Sequence, residues 1–139
     1  MNATHRFMDA LRSLLIEDVP AFDRFGTRIY PVISPTSANR PYVIYRRTSI
    51  QREQSLSGPI GHPRAQVEVS VFGDTYENAL DSADVIRQVL DGRSAVVGEV
   101  FLQSIWLEDE SDDFVQLSGS EMPPLYSVTL AFGVIWKEI

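Results

Sequence analysis

An α+β fold, with a mainly antiparallel sheet and two helices packed on one of its faces, is what the sequence predicts, and three observations carry it. Strand-textured segments outnumber helical ones, in the order α-β-β-β-α-β-β. The links between strands are rich in Gly, Pro and Ser, which is the chemistry of hairpins and turns. The chain has 139 residues, 44% apolar and 22% charged, figures that suit a single domain over 1–139 with one core.

Each element has its own signal. Thr4 to Asp18 spaces Phe7, Met8, Leu11, Leu14 and Leu15 as one face of a helix. Pro20 ends it, because the residue before a proline avoids the helical region. From Arg28 the texture turns to β. Ile29 to Ile33 makes a strand that is short or lies at an edge, because Pro31 has no N–H to give a ladder. Tyr42 to Ile50 makes the second strand. Residues 51 to 63 hold Ser55, Ser57, Gly58, Pro59, Gly61 and Pro63, so they read as a long exposed β-hairpin loop, a length that in compact domains goes with function or disorder. Ala65, Val67, Val69 and Val71 then alternate with polar residues, the pattern of a half-buried strand.

Gly73-Asp74 opens the second helix. Asp74 is the expected cap with Glu77 completing a capping pair, and Tyr76, Ala79, Leu80, Ala83, Ile86 and Leu90 form the apolar face. Gly92 is placed to end it, and the helix is expected to cross the valine face of residues 65–71. Two strands follow, Val100 to Leu107 and Leu125 to Trp136. The last sets Tyr126, Val128, Leu130, Phe132, Val134 and Trp136 on one side. Glu108 to Asp113 and a loop from Gly119 to Pro124 are expected to separate them.

Composition excludes several classes. Nineteen acidic and twelve basic residues give a formal net charge of −7, which argues against a general affinity for phosphate backbones. All but one of the basic residues are Arg, the exception being Lys137. Arg suits carboxylates and desolvated contacts and is enriched at protein interfaces, where Lys is depleted. With no Cys, there is no disulfide, zinc–thiolate site or cysteine nucleophile. No apolar run approaches the ~18 residues that cross a bilayer, and the first residues lack a secretory signal. The expectation is a soluble protein with no membrane partner.

No chemistry is assigned. The sequence has no Gly-x-Ser-x-Gly elbow, no Walker loop and no Gly-x-Gly-x-x-Gly. His62 is the one candidate general base, for a small hydrolase or transferase, against the plainer reading of an exposed loop histidine. Asp109-x-Ser111-x-Asp113 has the oxygen spacing of a calcium loop, but Phe114 stands where Gly is needed and Ser120 where a bidentate Glu is needed. The sequence therefore predicts no catalytic, cofactor-binding or metal-binding residue.

The charge is polarised along the chain. Arg24, Arg28, Arg40, Arg46, Arg47, Arg52 and Arg64 cluster with only Asp23 and Glu53 near them, whereas Glu99, Glu108, Asp109, Glu110, Asp112 and Asp113 have no basic residue among them. Two readings fit: pairing within one chain between adjacent strands, or faces that complement the next copy in a heterologous ring. The acidic stretch itself reads as a solvated turn or as a docking patch for a neighbour's arginines. Arg46, Arg47 and Arg52 also suit a nucleic-acid contact, though no interleaved aromatic platform accompanies them.

Tyr30-Pro31, Pro41-Tyr42-Val43-Ile44-Tyr45, Leu56-Ser57-Gly58, Arg64 through Phe72, a helix with Tyr76, Ala79 and Ala83, and the closing Leu125 through Phe132 together resemble the tail-completion proteins of long-tailed bacteriophages, the tail terminators or tail-to-head joining proteins. The resemblance runs from about Ile29 to Trp136, and Glu108 to Asp113 lies outside it. It implies a virion subunit that closes into a ring, commonly a hexamer, at the head-proximal end of the tail after assembly in the host cytoplasm. Such a ring caps the tail tube, stops its polymerisation and meets the head connector. Its partners are copies of itself, the tail-tube protein and the connector, with DNA only as passing cargo and with no cofactor or reaction. On this reading Arg46, Arg47, Arg52, Leu56, Gly58 and Arg64, with Glu108, Asp109, Glu110, Asp112 and Asp113, serve subunit or partner interfaces. Another neck protein, such as a head–tail connector, is the alternative, and binding to tube ends separates the two.

Overall fold

The computed structural model describes residues 3–34, 39–52, 54–55, 58–59, 63–115 and 125–138. Helix α1 (Ala3–Glu17) and helix α2 (Val19–Phe25) lead into strands β1 (Ile29–Pro31) and β2 (Tyr42–Gln51). The short strands β3 (Gln54–Ser55) and β4 (Gly58–Pro59) follow, then β5 (Arg64–Gly73), helix α3 (Tyr76–Leu90), β6 (Ala95–Val97), β7 (Val100–Val115) and β8 (Leu125–Glu138). The α+β class and the order of the main elements stand as the sequence predicts. Helix α2, the strand β6 and the β3–β4 pair are additional.

Six strands form one sheet in the order β1-β2-β5-β8-β7-β6, and β3 and β4 form a separate two-stranded ribbon. Only the β1–β2 pair is parallel; the other neighbours run antiparallel. The expected hairpin joining β2 to β5 is present, with the β3–β4 ribbon inside its connection.

Alternation builds the core. Ala65, Val67, Val69 and Val71 of β5, Val128, Leu130, Phe132, Val134 and Trp136 of β8, and Leu102 and Ile105 of β7 are all buried on one face. Helices α1 and α3 lie on that face and touch each other, with α3 across β5 and β8 and α1 toward β7 and β6. Phe7 of α1 stacks on Trp136, with ring centroids 5.0 Å apart. Such a pair adds about 0.5–1.5 kcal/mol to the burial of the rings. From α1, Arg12 donates through Nε to the Ile29 carbonyl at 3.0 Å, which fixes β1 beneath the helix.

Two local expectations change. Pro20 does follow the end of α1, but it also opens α2. Asp18 caps that helix, accepting the Ala21 N–H at 3.1 Å, and a proline in the first turn gives up a donor that has no intrahelical partner there. At α3 the cap is Thr75, whose hydroxyl accepts the Asn78 N–H at 3.0 Å. Asp74 instead pairs with Arg40 at 2.9 Å. Tyr76 and Leu80 also fall outside the buried face of α3, at 44% and 37% exposure. Gly92 takes the left-handed conformation just beyond the helix, with φ of 77°, as a glycine in that place does.

Candidate functional site

The face of the sheet away from the helices, and its two long margins, carry nearly all the residues singled out in the sequence. Strand β1 covers β2 only from Val43 to Tyr45. It ends because Val32 has φ of 65° and the Ile33 N–H turns back to the Pro31 carbonyl at 2.7 Å, a γ-turn that a β-branched residue adopts only under strain. Beyond that point, from Arg46 to Gln51, β2 has no strand on its outer side among the described residues.

On this margin the arginines differ. Arg46 reaches across to Glu68 of β5, with Nη2 at 2.9 Å from the carboxylate. Arg52 lies over the Trp136 ring at 5.8 Å. Arg47 is exposed and makes no ion pair among the described residues. It borders a shallow hollow with Thr48, Ser49, Ile50 and Arg52, at a bulge where the β2–β5 register shifts between Arg47 and Ser49. Bulges bend a strand and are common at sheet edges.

A second hollow of about 180 Å³ opens near the sheet centre, lined among others by Arg64, Gln66, Trp106, Glu108 and Gly133. Arg64 sits 5.7 Å over the Trp106 ring. That ring packs against Gly133, where any side-chain carbon would overlap it.

The acidic stretch is where structure and sequence part. Glu108 to Asp113 is no turn: β7 continues through it to Val115, paired residue by residue with β8. Pairing with a long apolar strand overrides the low strand preference of Asp and Glu. After a register shift between Leu107 and Asp109, Asp109, Ser111 and Asp113 fall opposite Ala131, Thr129 and Ser127, on the face away from the helices. Glu110 and Asp112 fall on the helix face. There Arg87 of α3 approaches Glu110 at 4.0 Å, and the Tyr76 hydroxyl donates to Asp112. That hydrogen bond raises the Tyr76 pKa above its ordinary value. On its outer side β7 is covered by β6 from Val100 to Leu102. Residues 91–93 then bond Ile105 and Leu107. From Asp109 onward it has no outer strand among the described residues.

Arg46 and Arg47 of β2 and the acids of β7 are thus on different strands with two others between them. Arg46, Glu68, Ala131 and Asp109 occupy one rung across β2, β5, β8 and β7, so Arg46 and Asp109 are about 14 Å apart at ~4.8 Å per strand. The two segments are not adjacent strands, and Arg46 pairs with Glu68 of β5, which lies between them. In the sequence Glu68 shows only as a polar position in an alternating strand. Leu56 and His62 lie outside the described residues, as does Ser120, and Gly58 lies in β4. Among the described residues no three metal-ligating side chains gather, and no helix is long and apolar enough to cross a membrane.

Known proteins share this architecture. The fold matches a chain in the solved "Virion of native gene transfer agent (GTA) particle" with a TM-score of 0.78, covering 99% of both chains at 18% identity. No curated protein matches the sequence. The family model described as "Tail completion protein gp17" matches residues 9–132, from α1 through most of β8. With α3, most of α1 and both charged margins inside the match, the chain belongs to the tail completion protein family, whose members are structural proteins of the phage tail.

Proposed function

We propose that this chain closes into a ring, of six copies, at the head-proximal end of the tail. The ring caps the tail tube, stops its polymerisation and presents the surface to which the head connector joins. Membership of the tail completion family supports the setting, and the likeness in fold to a chain of a gene transfer agent virion agrees with it. The observation that carries the ring is the pair of open sheet margins with opposite charge. The Arg46–Gln51 margin holds basic residues and the Asp109–Asp113 margin acids, at opposite ends of a six-stranded sheet. Surfaces that complement each other on opposite sides of one subunit make head-to-tail contacts, which close into a ring when the rotation between copies closes.

In such a ring Arg46, Arg47 and Arg52, and the connection from Gln51 to Pro63 with Leu56 and Gly58, serve contacts to the adjacent ring component. The acids from Glu108 to Asp113 serve the other side, and Arg64 of β5, beside Gln51, also serves a subunit or partner contact. Six copies carry six times −7, a formal −42, so an acidic channel wall repels passing DNA and keeps it from sticking. The function is assembly, with no reaction.

The test is tube-length control. Tail-tube protein polymerised in the absence of heads, with this chain added, is expected to give short tubes bearing a ring at one end. Unlimited tubes without bound protein would overturn the capping role, and binding only to connector would favour a different neck component.

A further inference from the structure

Subunits of a ring must meet through some surface, and the sheet offers a specific one. We propose that, in the ring on which this inference rests, the open edge of β2 pairs directly with the open edge of β7 in the next copy. The two sheets then continue into one another through backbone hydrogen bonds.

Four observations carry this. First, neither edge has a strand bonded to it among the described residues; on β7 the Phe114 N–H is taken by the Asp113 carboxylate at 2.8 Å, so the pairing stretch ends at Asp113. Such an edge is a template for strand addition. Second, the direction is right. Between β2 and β7 the strand direction reverses three times, so a neighbour placed in the same orientation brings its β7 antiparallel to β2, the commoner and more stable pairing.

Third, charge selects the partner. Pairing two β2 edges sets Arg46 and Arg47 against their own kind, and pairing two β7 edges sets acids against acids. Like charges directly opposite on neighbouring strands destabilise, and opposite charges stabilise. Only the mixed pairing is complementary.

Fourth, the pleat fixes the register. The free parts of the two edges are staggered and share only the Arg46–Asp109 rung: Arg47 to Gln51 lie beside the earlier part of β7, and Glu110 to Asp112 are level with Tyr45 to Val43, which β1 covers. A neighbour must therefore slide along the strand direction, and by an even number of rungs if its apolar face is to stay on the same side. A slide of four rungs sets Arg47 opposite Asp112 on the helix face and Arg46 opposite Asp113 on the other. Phe114 and Val115 then leave the line of the sheet where they meet the end of β1. The slide is about 14 Å at ~3.4 Å per residue, against a lateral step of about 19 Å for four strands. The strands are then inclined by roughly 35° to the ring axis, within the tilt that closed sheets adopt.

The chain has no Cys, so disulfide trapping reads this contact without background. Two double variants are made, Arg47→Cys with Asp112→Cys, and Arg46→Cys with Asp113→Cys. Adjacent rungs of an antiparallel pair alternate between wide and narrow, so one of the two has the spacing a disulfide needs. Within one chain each pair spans two intervening strands and cannot bridge. Under mild oxidation, alone and with tail-tube protein, one double variant is expected to give a covalent ladder rising to a closed ring, while each single variant gives none. Dimers from single variants would overturn the proposal in favour of like edges meeting. A ring seen by native mass with neither double variant linked would overturn the edge pairing and leave the ring intact. Monomer under both conditions would overturn the two together.

Discussion

At position 32 a β-branched side chain sits in the left-handed region, with φ of 65° and 68% of its surface exposed. So exposed a side chain contributes little by packing, and the backbone strain outweighs it. Val32→Gly is therefore expected to raise the unfolding free energy by about 1 kcal/mol after glycine's own entropic cost is subtracted. Urea denaturation checks this, and a fall in stability would contradict it. The same turn frees the edge of β2, so a stabilised variant that still assembles would place the strain outside the assembly step. Gly133 is the opposite case, where a small residue is required by a neighbour. Gly133→Ala pushes a carbon into the Trp106 ring, at a cost of about 1–3 kcal/mol, read as a lower thermal midpoint together with a red-shifted tryptophan emission as Trp106 lifts from the sheet. Tyr45 sets an alkaline limit. Burial holds its hydroxyl protonated above the ordinary value of 10.0, with Arg12 opposing and Asp9 adding to the shift. Because the folded-state value is the higher one, its contribution is intact below about pH 10 and is lost as pH rises from there through the folded value. Tyr45→Phe is expected to flatten that part of the pH–stability curve.

Among the elements, α2 and β7 show where local sequence reading stops. Pro20 marks a break correctly, but the same residue is compatible with the first turn of a new helix, and the Asp18 side chain that makes the difference acts only once the turn exists. Asp18→Ala is expected to cost about 1 kcal/mol, measured by denaturant unfolding, with no change if the cap is unimportant. The full length of β7 is hidden for another reason. Five acids in six residues read as a solvated turn, and nothing local says otherwise. What makes them a strand is β8, whose 14 residues offer a pairing edge along their whole length, and α3, which supplies Arg87 and Tyr76 to two of the acids. By contrast β5, β8 and α3 are legible because their periodicity points at one shared core, and tertiary structure there reinforces the local pattern. Of the candidate site, the charged residues are legible by composition. Their separation onto two edges is not, since it depends on strand order.

For the whole molecule, the net charge of −7 is less informative than its layout, a basic margin and an acidic margin on opposite sides of one sheet. That layout favours head-to-tail association and opposes pairing of like surfaces. Exposed charges are screened by salt, so self-association of the ring is expected to weaken as ionic strength rises, while the core, held by apolar burial, is unaffected. Sedimentation at low and high salt checks this, and association that strengthens with salt would point to an apolar contact in place of a charged one. The most direct test of the ring is native mass combined with negative-stain imaging, with and without tail-tube protein. Closed rings of six copies, free or seated on tube ends, are the predicted result; a monomer under both conditions that leaves the tube ends bare would contradict it.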